Sequence, residues 1–189
     1  MPLSSSVPRT LRHTRAIQVQ AYARDDGLWD LDAHITDIKS SDIVLTSGPR
    51  AAGVPVHDLK LRLTINPDML IVDAEAASDA VPYPGYCDTI APAYKSLIGL
   101  SLTDHFRLRL KDRLSGVLGC THLTELSLIL PTAAFQALGR DIAGFGGARA
   151  GGEQGAPFQI NRCHALRADG PAVAKYYPRW VAKPAPKQG

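Results

Sequence analysis

Between residues 57 and 65 the chain alternates without a break. His57, Leu59, Leu61, Leu63 and Ile65 fall on one face of an extended strand, and Asp58, Lys60, Arg62 and Thr64 on the other. Successive strand side chains point to opposite faces, so such a segment belongs in a sheet with one dry and one wet face. Trp29, Leu31, Ala33 and Ile35 against Asp30, Asp32, His34 and Thr36 repeat the pattern, and residues 17–22 follow it loosely. Asn66-Pro67-Asp68 is a turn, after which residues 69–76 return as a partner strand with Leu70, Val72, Ala74 and Ala76 inward. Residues 40–55, with Gly48-Pro49 and Gly53, read as a loop.

Beyond Ala80 the period changes. A stiff connector, VPYPG, leads to Cys87, and residues 88–97 read as a helix in which Pro92 is tolerable only in the first turn. Residues 102–114 form a second expected helix, capped by Ser101 or Thr103. Residues 116–119 form a loop, and 121–138 are the longest helical stretch, with Pro131 expected to kink or divide it. Strands first and helices after imply an α+β fold: an antiparallel β-meander followed by helices packed on one face. The expected organisation is a flexible arm over 1–14, a core domain over 15–138 and a linker or lid with seven glycines over 139–157. A segment over 158–182 that closes the site and a tail over 183–189 complete it.

Composition narrows the function. Against 189 residues, 21 Lys+Arg and 18 Asp+Glu leave a net charge of +3 with the basic residues scattered, which does not call for nucleic acid. Aromatics at 6% supply no base-stacking platform. No apolar run reaches the length of a membrane span, and MPLSSSVPRT has no apolar signal core, so no membrane partner and a cytoplasmic location are expected. Three cysteines in a chain of this size do not make a secreted disulfide framework. GxGxxG, Walker and GxSxG sequences are absent, as are zinc-finger spacings.

The remaining chemistry sits on histidine and cysteine. His57 opens a strand on its apolar face; alone it reads as a core imidazole bonded to a loop carbonyl. Cys87 and Cys120, however, both fall where strand or loop passes into helix. In Gly119-Cys120-Thr121-His122 the cysteine precedes a helix, whose unpaired N–H groups and dipole favour thiolate, and Gly119 permits close backbone approach. The blander reading is a half-buried cysteine beside a capping threonine. Thiolate plus imidazole suits zinc or iron. Cys163-His164 is a second adjacent pair, either a packed cysteine beside an exposed histidine or a group folded back to complete the site. Asp73 and Glu75 read as solvated charges, and Arg12, His13 and Arg15 as an ordinary basic arm or an anion-holding group.

Two resemblances attach to these residues. GLWDLDAHITDIK, HDLKLRLTI, DAEAASDAVPYPGYC, GCTHLTEL and CHALRADGPAVAKYYPRW, spread over residues 15–180, resemble a bacterial domain-of-unknown-function family marked by GCTHL and a C-terminal CHA…PRW stretch. Residues 57–138 are similar to IscU/NifU-type iron–sulfur scaffold proteins. Cys87 and Cys120 match that family's second and third cysteines, His57 falls near its aspartate, and Pro55 stands where its first cysteine would be. The resemblance implies a metal site, and the loss of one thiolate turns it from a cluster scaffold towards a fixed mononuclear centre. LGCTH also resembles the racemase cysteine motif, but those enzymes need two α/β halves, which this element order lacks.

The expectation is therefore a zinc or iron enzyme acting on a small-molecule substrate by lyase or hydrolase chemistry, with an IscU/NifU-like core. Its metal ligands would be His57, Cys87 and Cys120, its reactive groups His122, Cys163 and His164. A mononuclear ion is favoured over an iron–sulfur cluster, and a homo-oligomer is compatible with the sequence. The competing expectation is an iron–sulfur or sulfur-transfer scaffold without turnover.

Overall fold

In a computed structural model, residues 3–139, 156–157 and 159–182 are described. The glycine-rich stretch 140–155 and the tail 183–189 lie outside the described residues, and with them most of the expected linker. The chain divides into two compact units, Met1–Ala137 and Leu138–Gly189.

The first unit is built on β1 (His13–Ala23), β2 (Trp29–Lys39), β5 (Pro55–Ile65) and β6 (Ile71–Ala80), an antiparallel sheet in the order β1-β2-β5-β6. Between β2 and β5 the expected loop contains a small hairpin, β3 (Ile43–Leu45) and β4 (Gly48–Arg50). β1 takes in His13 and Thr14, which the sequence assigns to the arm, because they pair with Lys39 and Ile38 of β2. One face of the sheet is dry: Leu31, Ile35 and Leu63 are fully buried, and Ala33, Leu59 and Leu61 nearly so. The other carries Asp32, His34, Lys60 and Arg62 and stays wet. The alternation in the sequence thus delivers the expected one-sided antiparallel sheet, and the α+β class with it.

The phase of β6 departs from expectation. Leu70 and Val72 are exposed, whereas Met69, Ile71 and Ala74 are buried. Thr64 pairs with Asp73 but Ile65 with Ile71, so one extra residue intervenes. A bulge of this kind flips the faces on either side of it. Two sequential inward positions three apart then replace strict alternation.

Asp88–Leu97 is helical as expected but of 3-10 type, with Pro92 inside it. Side chains of a 3-10 helix eclipse every third residue, and the residues it buries, Tyr94 and Leu97, are three apart. It packs against β6. The next helix, α1 (Phe106–Leu114), is shorter than expected. Its N-cap is His105 in the left-handed region, with no side-chain cap, while Ser101 bonds Thr103 and bridges to Leu70 instead. Helix α2 (Thr121–Leu138) runs through Pro131, forgoing the bond that residue's missing N–H would make one turn back. Leu123, Leu126, Ser127, Leu130, Ala134 and Leu138 are its fully buried residues. No described helix is long and apolar enough to cross a membrane. The second unit contains α3 (Pro171–Tyr176) and a 3-10 turn, Pro178–Trp180.

Candidate functional site

At one end of the dry face the apolar register is broken on three neighbouring strands. The break falls at His13 and Arg15 in β1, at Asp37 in β2 and at His57 in β5. Pairing aligns these positions, since Arg15 is opposite Asp37 and Asp37 opposite His57. β5 carries one extra residue beside the cluster, because Asp37 pairs with His57 but Ile38 with Pro55. Bulges commonly re-aim side chains at such places. The start of α2 then adds His122 and Glu125 from above the same face.

Asp37 is the hub. Its side chain is 5% exposed and would be costly to bury as a charge without partners. It has four donors. Arg15 grips it with two N–H groups, Nε to Oδ1 at 2.8 Å and Nη2 to Oδ2 at 2.9 Å. His13 Nε2 lies 2.8 Å from Oδ1 and His57 Nδ1 3.0 Å from Oδ2. His122 Nε2 is 3.6 Å from the same Oδ2, and the His57 and His122 rings lie 3.9 Å apart between centroids, tilted by 33°. Arg15 turns its remaining Nη1 outward to Glu125 Oε2 at 2.7 Å.

These contacts set the charge states. Burial pushes the Asp37 carboxyl up, but Arg15, His13 and His57 overcome it and hold the group down at about 2. The acid is therefore a carboxylate at any physiological pH. His57 is lowered, first by burial and then by repulsion from His122, against the pull of Asp37. His122 is lowered by burial and by Arg15, against Asp37 and Glu125. Both imidazoles are thereby kept neutral, the form that binds a metal or accepts a proton.

Among the described residues, the one set of three or more His, Cys, Asp or Glu side chains able to offer converging ligand atoms is Asp37, His57 and His122. Its ligand atoms all lie within 4.8 Å of one another. Two imidazoles and one carboxylate form a donor set used by both zinc and non-haem iron.

The residues expected from sequence are only partly gathered here. His57 and His122 are both in the set. Cys120 is adjacent but on the far side of His122: its Sγ is 3.9 Å from Nδ1, whereas Nε2 faces Asp37. Its position is fixed by the wholly buried Tyr94, whose hydroxyl accepts from the Cys120 N–H at 3.1 Å and donates to its carbonyl at 2.9 Å. Gly119 is required just before it, since a Cβ there would collide with the Leu114 carbonyl oxygen. Cys87 is half-buried at the start of the 3-10 helix, its N–H bonded to the Tyr83 carbonyl, and is not in the set. Cys163 and His164 are exposed residues of the second unit.

Sequence reasoning missed Asp37, and it read His13 and Arg15 as a basic arm. The signal was present. Position 37 continues the face of Leu31, Ala33 and Ile35, so a charge there sits at an apolar position of the alternation. The anion that Arg15 holds is the protein's own.

Residues 13–136 match the model of a family described as "Protein of unknown function (DUF2889)", and the chain belongs to that family. All the residues of the Asp37 cluster, and GCTHL with them, fall inside the match; the CHA…PRW stretch falls beyond it. No curated protein and no solved structure matches the chain.

Proposed function

We propose that this DUF2889 protein is a metal-dependent enzyme in which Asp37, His57 and His122 hold a single zinc or iron ion. Its substrate is a small organic molecule, transformed by lyase or hydrolase chemistry. The observation that carries this reading is the convergence of the three ligand atoms within 4.8 Å. They come from two paired strands and the first turn of a helix, so the site is positioned by regular structure. Asp37, His57 and His122 would hold the ion, which would supply Lewis-acid chemistry suited to polarising a carbonyl or activating water.

The surroundings suit that role. Arg15 and His13 orient the carboxylate, the kind of outer contact that tunes a ligand's position and basicity. Cys120, on the Nδ1 side of His122, orients that ring and is not itself a ligand. The IscU/NifU-like reading of the core needs cysteines to converge, and this cluster has nitrogen and oxygen donors in their place.

Elemental analysis of protein purified without a metal-affinity tag tests the proposal. Stoichiometric zinc or iron without acid-labile sulfide is expected, with loss of the ion in a His57→Ala, His122→Ala double variant. Acid-labile sulfide accompanying iron would favour the scaffold alternative. Absence of metal, even after incubation with either ion, would sink both.

A further inference from the structure

The guanidinium of Arg15 is shared between two unlike carboxylates. Asp37, 5% exposed, takes Nε and Nη2. Glu125, 50% exposed, takes only Nη1. The first contact is built into the sheet, since Arg15 and Asp37 are register partners. The second reaches from β1 to an exposed side chain one turn along α2 from His122. A solvent-exposed ion pair contributes little, so another anion can displace Glu125 cheaply while Asp37 stays in place.

The location gives that displacement a purpose. Arg15 Nη2 touches the Asp37 oxygen that also faces His57 and His122. The outward Nη1 is therefore one guanidinium width from the ligand atoms, on the side open to water. With a divalent ion in the cluster, the ion and Arg15 outweigh Asp37 and Glu125 by one positive charge. The first turn of α2, the positive end of an 18-residue helix, adds to the same sign. A neutral substrate would leave this surplus unmatched.

We infer that the substrate is an organic carboxylate, which replaces Glu125 on Arg15 Nη1, and that Glu125 occupies the same position when no substrate is bound. The inference rests on the metal-enzyme reading and names the substrate class of that site. Arg15 becomes a binding residue through Nη1 and remains a positioning residue through its grip on Asp37. Glu125 is a competitor whose removal tightens carboxylate binding.

The test uses the zinc-loaded full chain, labelled with nitrogen-15, its metal content measured first. Sodium acetate is titrated at constant ionic strength against sodium chloride, with acetamide as the neutral control, and the Arg15 Nε–H and the Glu125 amide signals are followed. Acetate is expected to shift both saturably and acetamide neither. Glu125→Gln, an exposed and nearly isosteric change, is expected to tighten acetate roughly two- to fivefold, the gain from removing an exposed competing ion pair. The inference is overturned if acetate moves Arg15 no more than chloride does, if acetamide acts equally, or if Glu125→Gln leaves the affinity unchanged. A chain that takes up no zinc defeats the metal reading instead, and the metal-free titration then reports on Arg15 alone. A chain that holds zinc while acetate ignores Arg15 defeats only the substrate class.

Discussion

Strands β2 and β5 carry two histidine–aspartate pairs, one on each face of the same sheet. On the wet face His34 Nε2 meets Asp58 Oδ1 at 2.6 Å, with 39% and 24% of the side chains exposed. On the dry face His57 Nδ1 meets Asp37 Oδ2 at 3.0 Å, with 17% and 5% exposed. The shorter contact is not the more consequential one. Water competes for every partner of Asp58, so that pair adds little. Asp37 has almost no water, and so needs Arg15, His13 and His57 together. The same two residue types give a surface contact in one place and a buried cluster of converging side chains in the other, and burial makes the difference.

The sharpest way to break this comparison is to neutralise each acid. Asp37→Asn sets an amide NH2 among donors that the buried carboxylate now accepts from, and is expected to destabilise by about 1–3 kcal/mol. Asp58→Asn should cost less than about 1 kcal/mol. Urea denaturation measures both, and equal losses would show that burial is not what separates the faces.

Metal affinity sharpens the contrast further. His57→Ala or His122→Ala should weaken zinc binding by more than about 100-fold, since each removes a proposed ligand outright, where outer contacts are worth 10–100-fold. His34→Ala should leave binding unchanged in a chelator competition. Tyr94→Phe probes the support of the dry face from another element. It strips the Cys120 N–H of its partner, and a loss of about 1–3 kcal/mol is expected.

Acidity gives a smaller and graded effect. His57 and His122 have folded pKa values below the ordinary 6.5, so the unfolded chain takes up protons first as pH falls through that value. Stability should therefore decline below about pH 6.5. Asp37 is depressed from 3.8 to about 2. Its contribution is fully present above pH 4 and should be lost as pH falls from there towards 2. Denaturation midpoints across this range should show both declines in the wild type, and the lower one should shrink in Asp37→Asn, where Asp26 and Asp73 still carry depressed carboxyls.

Much of the fold was legible because sheet alternation is a local signal. β2 and β5 were readable from period two, and the helical segments after Ala80 from the change of period. Bulges were not, since one extra residue beside Thr64 or Asp37 has no signature in composition; Leu70 and Val72 were placed inward for that reason. The shortened start of α1 was hidden too, because His105 adopts a positive φ, which histidine favours more than most residues but takes up only in a minority of places. At the site, His57 and His122 were readable as histidines next to element boundaries. Cysteine chemistry drew Cys87 and Cys163 into the expected set, but residue type carries no distance.

The sequence by itself determined that one face of a sheet would be dry, that His57 would lie on it, though third in its strand and not first, and that a Gly-Cys-Thr-His segment would begin a helix. These follow from local periodicity and from backbone sterics, which act over a few residues. Only the tertiary structure decided that Arg15, Asp37 and His57 would be register neighbours and that His122 would descend onto them. Pairing register and helix docking depend on contacts between residues 20 to 110 positions apart. Burial, which turns an ordinary aspartate into a held carboxylate, exists only once those contacts have formed.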